Sequence, residues 1–511
     1  MAVTFRNPVI PGFNPDPSVC RVGDTYWCVT SSFSYFPGVP LYRSRDLVTW
    51  EHVGNILDRP SQLDLLGTAG WISSGIYAPT LRHHDGVFHM VTTVTGAGGL
   101  RNFLVTATDP LAAWSDPVFI DVVGIDPDLA WDTDGNCWMH HSVMQVRRAR
   151  IDPETGSVLS APEPTWNGTG MHCPEAPHLY EIEGMWYLMI AEGGTERGHC
   201  VSIARAPSPT GPWESCPHNP ILSHRSTSKP ILNTGHGDLV QAVDGSWWMM
   251  LLAVRPKGVT PGFHVLGRET FLVPVEWHDG WPVVGALEEE MTVSRSRVLD
   301  LPHTTTDVRS GSLVGAATVD DFEAPALHQR WLTVRRPAAE FADLTSRPGS
   351  LVLRGSEETS QTLHGDLPVY VGRRQEHHGC EILASVEMIR GERGEAGLAV
   401  YMDKDAHYRI GLERERLVAR VRLAEIDTVI GSVPRPAGPI VLAIRTEAAT
   451  LGPDTIVLGH VTDAGFTEIA RFDGRYLATE VCTGFVGRTL GMYAIGCTAA
   501  FGRFEYRPID W

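Results

Sequence analysis

Short apolar runs separated by polar turns fill this chain, and in its first half they recur. Five times a turn containing glycine leads into an aromatic residue and then an apolar stretch. The copies are Gly23-Asp24-Thr25-Tyr26-Trp27-Cys28-Val29, Asp85-Gly86-Val87-Phe88-His89-Met90, Asp134-Gly135-Asn136-Cys137-Trp138-Met139, Glu183-Gly184-Met185-Trp186-Tyr187-Leu188 and Asp244-Gly245-Ser246-Trp247-Trp248-Met249. A spacing of roughly 50–60 residues is that of a propeller or solenoid repeat. Glycine permits the turn and aromatics favour the pleated surface, so each copy predicts a hairpin turn entering a buried strand. Five units predict a five-bladed β-propeller, in which each innermost strand faces one axis.

The texture then changes. Trp277-His278-Asp279-Gly280-Trp281-Pro282 closes the repeat, and a polar stretch from Ser294 to Val319, with Thr304-Thr305-Thr306 and Ser310-Gly311-Ser312, predicts a linker. Beyond Asp320-Asp321-Phe322, strand-length segments such as Glu381-Ile382-Leu383-Ala384-Ser385-Val386 and Leu417-Val418-Ala419-Arg420-Val421 alternate with Gly, Asp and Pro turns. That pattern predicts an antiparallel β-sandwich. The expected chain is all-β, with the propeller over 1–300 and the sandwich over 318–511. The sandwich would buttress the propeller or close its mouth with a loop; a separate binding role is the lesser alternative.

A second element recurs roughly six to eight residues before each turn, a Pro- or Gly-containing step into an apolar residue. Its copies are Asp16-Pro17-Ser18-Val19, Ala78-Pro79-Thr80-Leu81, Asp126-Pro127-Asp128-Leu129, Ala176-Pro177-His178-Leu179 and His236-Gly237-Asp238-Leu239. Superposed blades bring Asp16, Asp126 and His236 to the inner rim, with Glu175 and Tyr77 one residue earlier in theirs. Singly, an Asp before Pro is more often a turn former, His236 a structural histidine, and Glu192 a strand-end residue or a rival acid. Together, three carboxylates around one axis suit cleavage of a sugar acetal. That reaction needs one protonated and one ionised carboxyl group, and neighbouring charge keeps the acid protonated. Separate blades can hold the two about 6.5–9.5 Å apart, the inverting geometry.

These residues resemble glycoside hydrolase family 43 over 1–300, and its β-xylosidase-like members through the C-terminus. The resemblance is carried by Asn14-Pro15-Asp16-Pro17-Ser18, Phe36-Pro37-Gly38-Val39-Pro40, Gly75-Ile76-Tyr77-Ala78-Pro79, Glu175-Ala176-Pro177-His178, Ala191-Glu192-Gly193-Gly194-Thr195, Gly235-His236-Gly237-Asp238 and Leu266-Gly267-Arg268-Glu269. It implies an inverting mechanism with Asp16 as general base, Glu175 as general acid and Asp126 tuning and orienting the acid. Arg268 matches an arginine that points into the sugar subsite, its other reading being a salt bridge on the last blade. Tyr77 stands where the family commonly has Trp, which leaves subsite size and polarity open. Phe33, Tyr35 and Phe36 are candidates for the same wall, and Phe485 in Gly484-Phe485-Val486-Gly487 is the candidate aromatic lent by the sandwich. His236 matches a histidine that often holds a hydrated cation, calcium being the candidate ion; the chemistry requires no cofactor.

The expected activity is therefore exo-hydrolysis of terminal β-1,4-xylosyl residues of xylo-oligosaccharides. The alternatives are α-L-arabinofuranosidase activity, a non-catalytic sugar-binding propeller, and a retaining fructosidase-type propeller. Composition fits: of 511 residues 43% are apolar and 20% charged, and the net charge of −18 argues against nucleic-acid or anionic-membrane partners. The expected partner is a small oligosaccharide, and a homo-oligomer is compatible with the sequence. Nine cysteines, odd in number and without CxxC spacing, fit free thiols in a reducing compartment. Cys173 reads as structural. No basic segment followed by an apolar core opens the chain, so a cytoplasmic location is expected.

Overall fold

The computed structural model describes residues 2–62, 64–68, 70–96, 98–294, 312–313, 315–391 and 394–511. Each of the five predicted glycine turns joins two neighbouring strands of an antiparallel sheet. Gly23, Gly86, Gly135, Gly184 and Gly245 all have φ between +63° and +85°, the left-handed region that residues with a Cβ resist. Asp85 and Glu183 are left-handed too, so the Asp85-Gly86 and Glu183-Gly184 turns have positive φ at both central positions, which matches the twist of the flanking strands.

The inner strands of the five sheets are Ser18–Val22, Thr80–His84 (preceded in its sheet by the two-residue strand Gly75–Ile76), Ile125–Trp131, Glu175–Ile182 and Leu232–Gln241. Each inner strand packs against the next, and Leu232–Gln241 packs back against Ser18–Val22, closing a ring. Separate apolar clusters fill the spaces between successive sheets. Val19, Tyr26 and Tyr42 of the first sheet meet Val240, Trp248 and Leu272 of the fifth, for example, with Trp248 2% exposed. Each such side chain contributes roughly 1.5–3 kcal/mol on burial. A strap fastens the ring: Ala2–Arg6 pairs with Glu290–Ser294, and the buried Asn7 amide donates to Leu272 O (2.9 Å).

The second domain stacks a sheet of eight strands on one of six, every pairing antiparallel. Its core extends beyond the sandwich, because Phe13, Phe33, Tyr35 and Ile72 of the propeller join the same apolar cluster. The predicted linker falls largely outside the described residues, at 295–311 and 314. Its described part departs from the expectation: Ser312–Leu313 pairs with Glu51–Leu57 and adds a strand to the first sheet. Polar side chains do not prevent this, since an edge strand offers its backbone groups whatever the side chains are.

Candidate active site

The inner strands of the propeller enter the ring through a break in their pleat. Ser18, Asp128, His178 and Asp238 occupy equivalent rungs, paired with Val29, His140, Met189 and Met250. Two residues earlier the backbone is left-handed in each case: Asp16 φ +57°, Asp126 φ +54°, Ala176 φ +51° and His236 φ +47°. In the third, fourth and fifth sheets these residues sit in register shifts of the ladder. A non-glycine residue in that region costs on the order of 1–3 kcal/mol, and a bulge re-aims side chains off the sheet face. The break directs Asp16 and Asp126, and Glu175 just before Ala176, into one cavity of about 290 Å³.

The three carboxyl groups have different surroundings. Arg268 grips Asp16 with two nitrogens, Nη1 to Oδ1 at 2.9 Å and Nη2 to Oδ2 at 3.3 Å, and Ser31 Oγ donates to Oδ2 at 2.5 Å. Asp126 Oδ2 accepts from Ala176 N (3.0 Å), so it pins the backbone beside Glu175. Burial, then the charges of Glu175 and Asp16, hold the Asp126 carboxyl well above the usual carboxylate range. Burial pushes the Glu175 carboxyl up to about 7; Arg268 pulls against this and Asp16 adds to it. Like charges confined this closely titrate as a set, and the Glu175 carboxyl can hold its proton close to neutral pH.

Aromatic rings form one wall. Phe33 and Tyr77 meet edge to face (5.5 Å between centroids), and Phe485 of the sandwich lies 5.8 Å from Phe33 and 6.1 Å from Tyr77. Arg268 lies over Phe33 and Phe485, so its salt bridge and its place in the pocket coexist. Phe485 is held by its own N–H, which donates to Ser73 Oγ (2.8 Å). Phe36 and Tyr35 correct the expectation: neither lines the cavity. Tyr35–Phe36 is a short strand paired with Thr333–Val334. Its alternation sends Phe36 into the core between the first two sheets, with Trp27 and Leu41, and Tyr35 into the sandwich core.

Several residues were not anticipated. Thr195 Oγ1 accepts from Arg268 Nη1 (3.0 Å), Trp71 packs on Phe485, and His172, Cys173, Glu196 and His199 line the cavity. Glu192 is no rival acid: it is fully buried and accepts from Thr169 N and Oγ1. Beneath the carboxylates, Arg82 crosses the axis from the second sheet. It bonds Asp128 (2.7 Å), Asp238 (3.0 Å) and His178 Nδ1 (2.9 Å) of the other sheets, above a second cavity of about 260 Å³. The signal for this network was a polar residue two past Asp16, Asp126, Ala176 and His236, where a strand core would be apolar.

His236 faces Asp16 at 3.6 Å, and burial lowers its imidazole to about 3, so the ring is neutral. Calcium takes six to eight oxygens, whereas His236 offers one nitrogen and its neighbouring carboxylate is engaged by Arg268 and Ser31. Among the described residues no group of three or more His, Cys, Asp or Glu converges to hold a metal. These donors do not fit a directly ligated calcium.

Comparisons with known proteins agree with this architecture. Residues 5–282 match the family model "Glycosyl hydrolases family 43", and residues 319–507 match "Beta xylosidase C-terminal Concanavalin A-like domain". A non-reducing end α-L-arabinofuranosidase of Bacteroides ovatus is 38% identical over 99% of this chain and 95% of its own length. A xylosidase/arabinosidase of Butyrivibrio fibrisolvens is 34% identical over 96% of each chain. The solved Bacteroides ovatus xyloglucan PUL GH43B superposes with a TM-score of 0.89 at 37% identity, over 99% of this chain and 100% of its own. No helix among the described residues is long and apolar enough to cross a membrane.

Proposed function

Because the chain belongs to glycosyl hydrolase family 43, and is a glycoside hydrolase, we propose that it is an inverting exo-glycosidase releasing terminal β-1,4-linked xylosyl units from xylo-oligosaccharides. The observation that carries this is a small cavity in which a carboxyl group raised to about 7 shares space with a carboxylate fixed by an arginine fork. In this reading the terminal sugar lies against Phe33, Tyr77 and Phe485. Glu175 gives its proton to the glycosidic oxygen as the bond from that oxygen to the anomeric carbon breaks. Asp16 removes a proton from the water whose oxygen forms the new bond from the opposite face. Asp126 holds the acid in place through Ala176 N and, titrating together with it, tunes its proton affinity, while the charge of Asp16 helps to keep the acid protonated. No step runs through a cation. The cavity lies near the ~300 Å³ lower end for small-ligand sites, which favours one terminal unit over a stretch of polymer.

α-L-Arabinofuranosidase activity is the second reading, favoured by the name of the Bacteroides ovatus relative. The nine cysteines are all free, which supports a reducing, cytoplasmic setting. Hydrolysis of nitrophenyl xylopyranoside and arabinofuranoside, with NMR of the first anomer released, tests both substrate and mechanism. Inversion with a preference for the xyloside is expected. A retained configuration would sink the mechanism, and a preference for the arabinoside would transfer the assignment.

A further inference from the structure

The catalytic cavity has two unlike ends. Around Asp16 it is closed, with Asp16, Phe33 and Arg268 at 5%, 1% and 8% exposure. Past Glu175 it opens, and there His172, Cys173 and Glu196 are exposed lining residues. Proton donation assigns the ends. The acid must face the glycosidic oxygen, so the leaving group extends over the open side.

The loop on that side is fastened from beneath. Buried Glu192 accepts from Thr169 N (2.8 Å) and Thr169 Oγ1 (3.1 Å), and Gly193 N donates to His172 O (2.8 Å). Gly168 has a φ of +76°, and a Cβ there would lie 2.2 Å from the Glu192 carboxylate, so a side chain would be strained and would displace that carboxylate. A Cβ on Gly194 would lie 2.9 Å from His172 Nε2 and 3.9 Å from Glu196 Oε1. Bare backbone at Gly194 therefore leaves both groups bordering one small volume at the cavity mouth. Neither side chain has a hydrogen-bond or ion-pair partner among the described residues. A merely solvated rim would not need a buried carboxylate and two glycines to hold it.

Resting on the glycosidase reading above, we propose that His172 and Glu196 are specificity-determining residues that bind the hydroxyls of an uncharged leaving sugar. A carboxylate accepts from a hydroxyl and an imidazole both donates and accepts, so the pair can satisfy the donor and acceptor groups of a sugar ring. A nitrophenyl leaving group has no hydroxyl to donate. The consequence is a preference for oligosaccharides over aryl glycosides of the same pentose.

The test is a ratio: kcat/KM for the disaccharide of the pentose that the enzyme hydrolyses, divided by kcat/KM for its nitrophenyl glycoside. His172→Ala and Glu196→Ala should each lower this ratio about tenfold, the size of one lost hydrogen bond of ~1.4 kcal/mol. Glu196→Gln keeps an acceptor and should lower it less. If the wild-type enzyme is active on both substrates and neither alanine variant changes the ratio, the proposal is overturned while the glycosidase reading stands. No wild-type activity on any pentoside would overturn that reading and this inference with it.

Discussion

On the glycosidase reading, Glu175 owes its chemistry to what burial withholds from it. With a folded value of about 7 against an ordinary 4.5, it stays protonated where an exposed glutamate would be ionised. The rate should fall as pH rises through about 7, and Glu175→Ala should cost ~10²–10⁴-fold on a disaccharide but less on a substrate with a good leaving group. Equal losses on the two would remove Glu175 as the acid. Asp126 and Glu175 titrate as a set, so Asp126→Asn should shift the basic limb of the pH–rate profile; a change in KM alone would argue against the tuning role. Stability carries the same signature with a definite sign. Folding favours the protonated Glu175, so its contribution is complete below about pH 4.5 and is lost as pH climbs through about 7. Melting curves of Glu175→Gln should therefore decline less over that interval than those of the wild type.

At the scale of elements, what could be read from the sequence was what glycine and alternation enforce. The turns at Gly23, Gly86, Gly135, Gly184 and Gly245 announce themselves because the left-handed backbone there excludes most other residues. Gly245 has open space around a would-be Cβ, so Gly245→Ala isolates the backbone penalty and should cost about 1–2 kcal/mol in urea unfolding. The repeat phase brought Asp16, Asp126 and Glu175 to one place, although the left-handed breaks in the pleat that turn them inward were not legible: a local backbone reversal leaves no mark in a hydrophobicity pattern. Phe36 and Tyr35 show the converse limit. Residue type says that a ring will be buried, but not in which of two cores on either side of a two-residue strand. Arg82 was overlooked because a charge on a strand reads as solvent-facing until its partners Asp128, His178 and Asp238 are placed around the same axis.

The whole molecule works as one unit because the sandwich reaches into the propeller beside the site. Gly267, adjacent to Arg268, lies against Gly487, two residues beyond Phe485; a Cβ on Gly487 would be 2.4 Å from Leu266 O. Arg488 N, donating to Val265 O (3.1 Å), and the His264–Glu480 contact (2.7 Å) fix the same two loops. Phe485→Ala should raise KM roughly tenfold through lost apolar contact, about 1.4 kcal/mol, with kcat less affected. Gly487→Val should depress kcat as well, since it displaces the backbone next to the arginine that grips Asp16. Steady-state kinetics of the two variants separate these effects.

The guanidinium of Arg82 lies across the passage that a propeller would otherwise leave open along its centre. A blind alley has one doorway. On the glycosidase reading, the freed monosaccharide sits behind the shortened chain and cannot escape until that chain backs out. Each cut then ends in full dissociation, the enzyme cannot run along its substrate, and accumulating monosaccharide competes with incoming chains for the innermost berth.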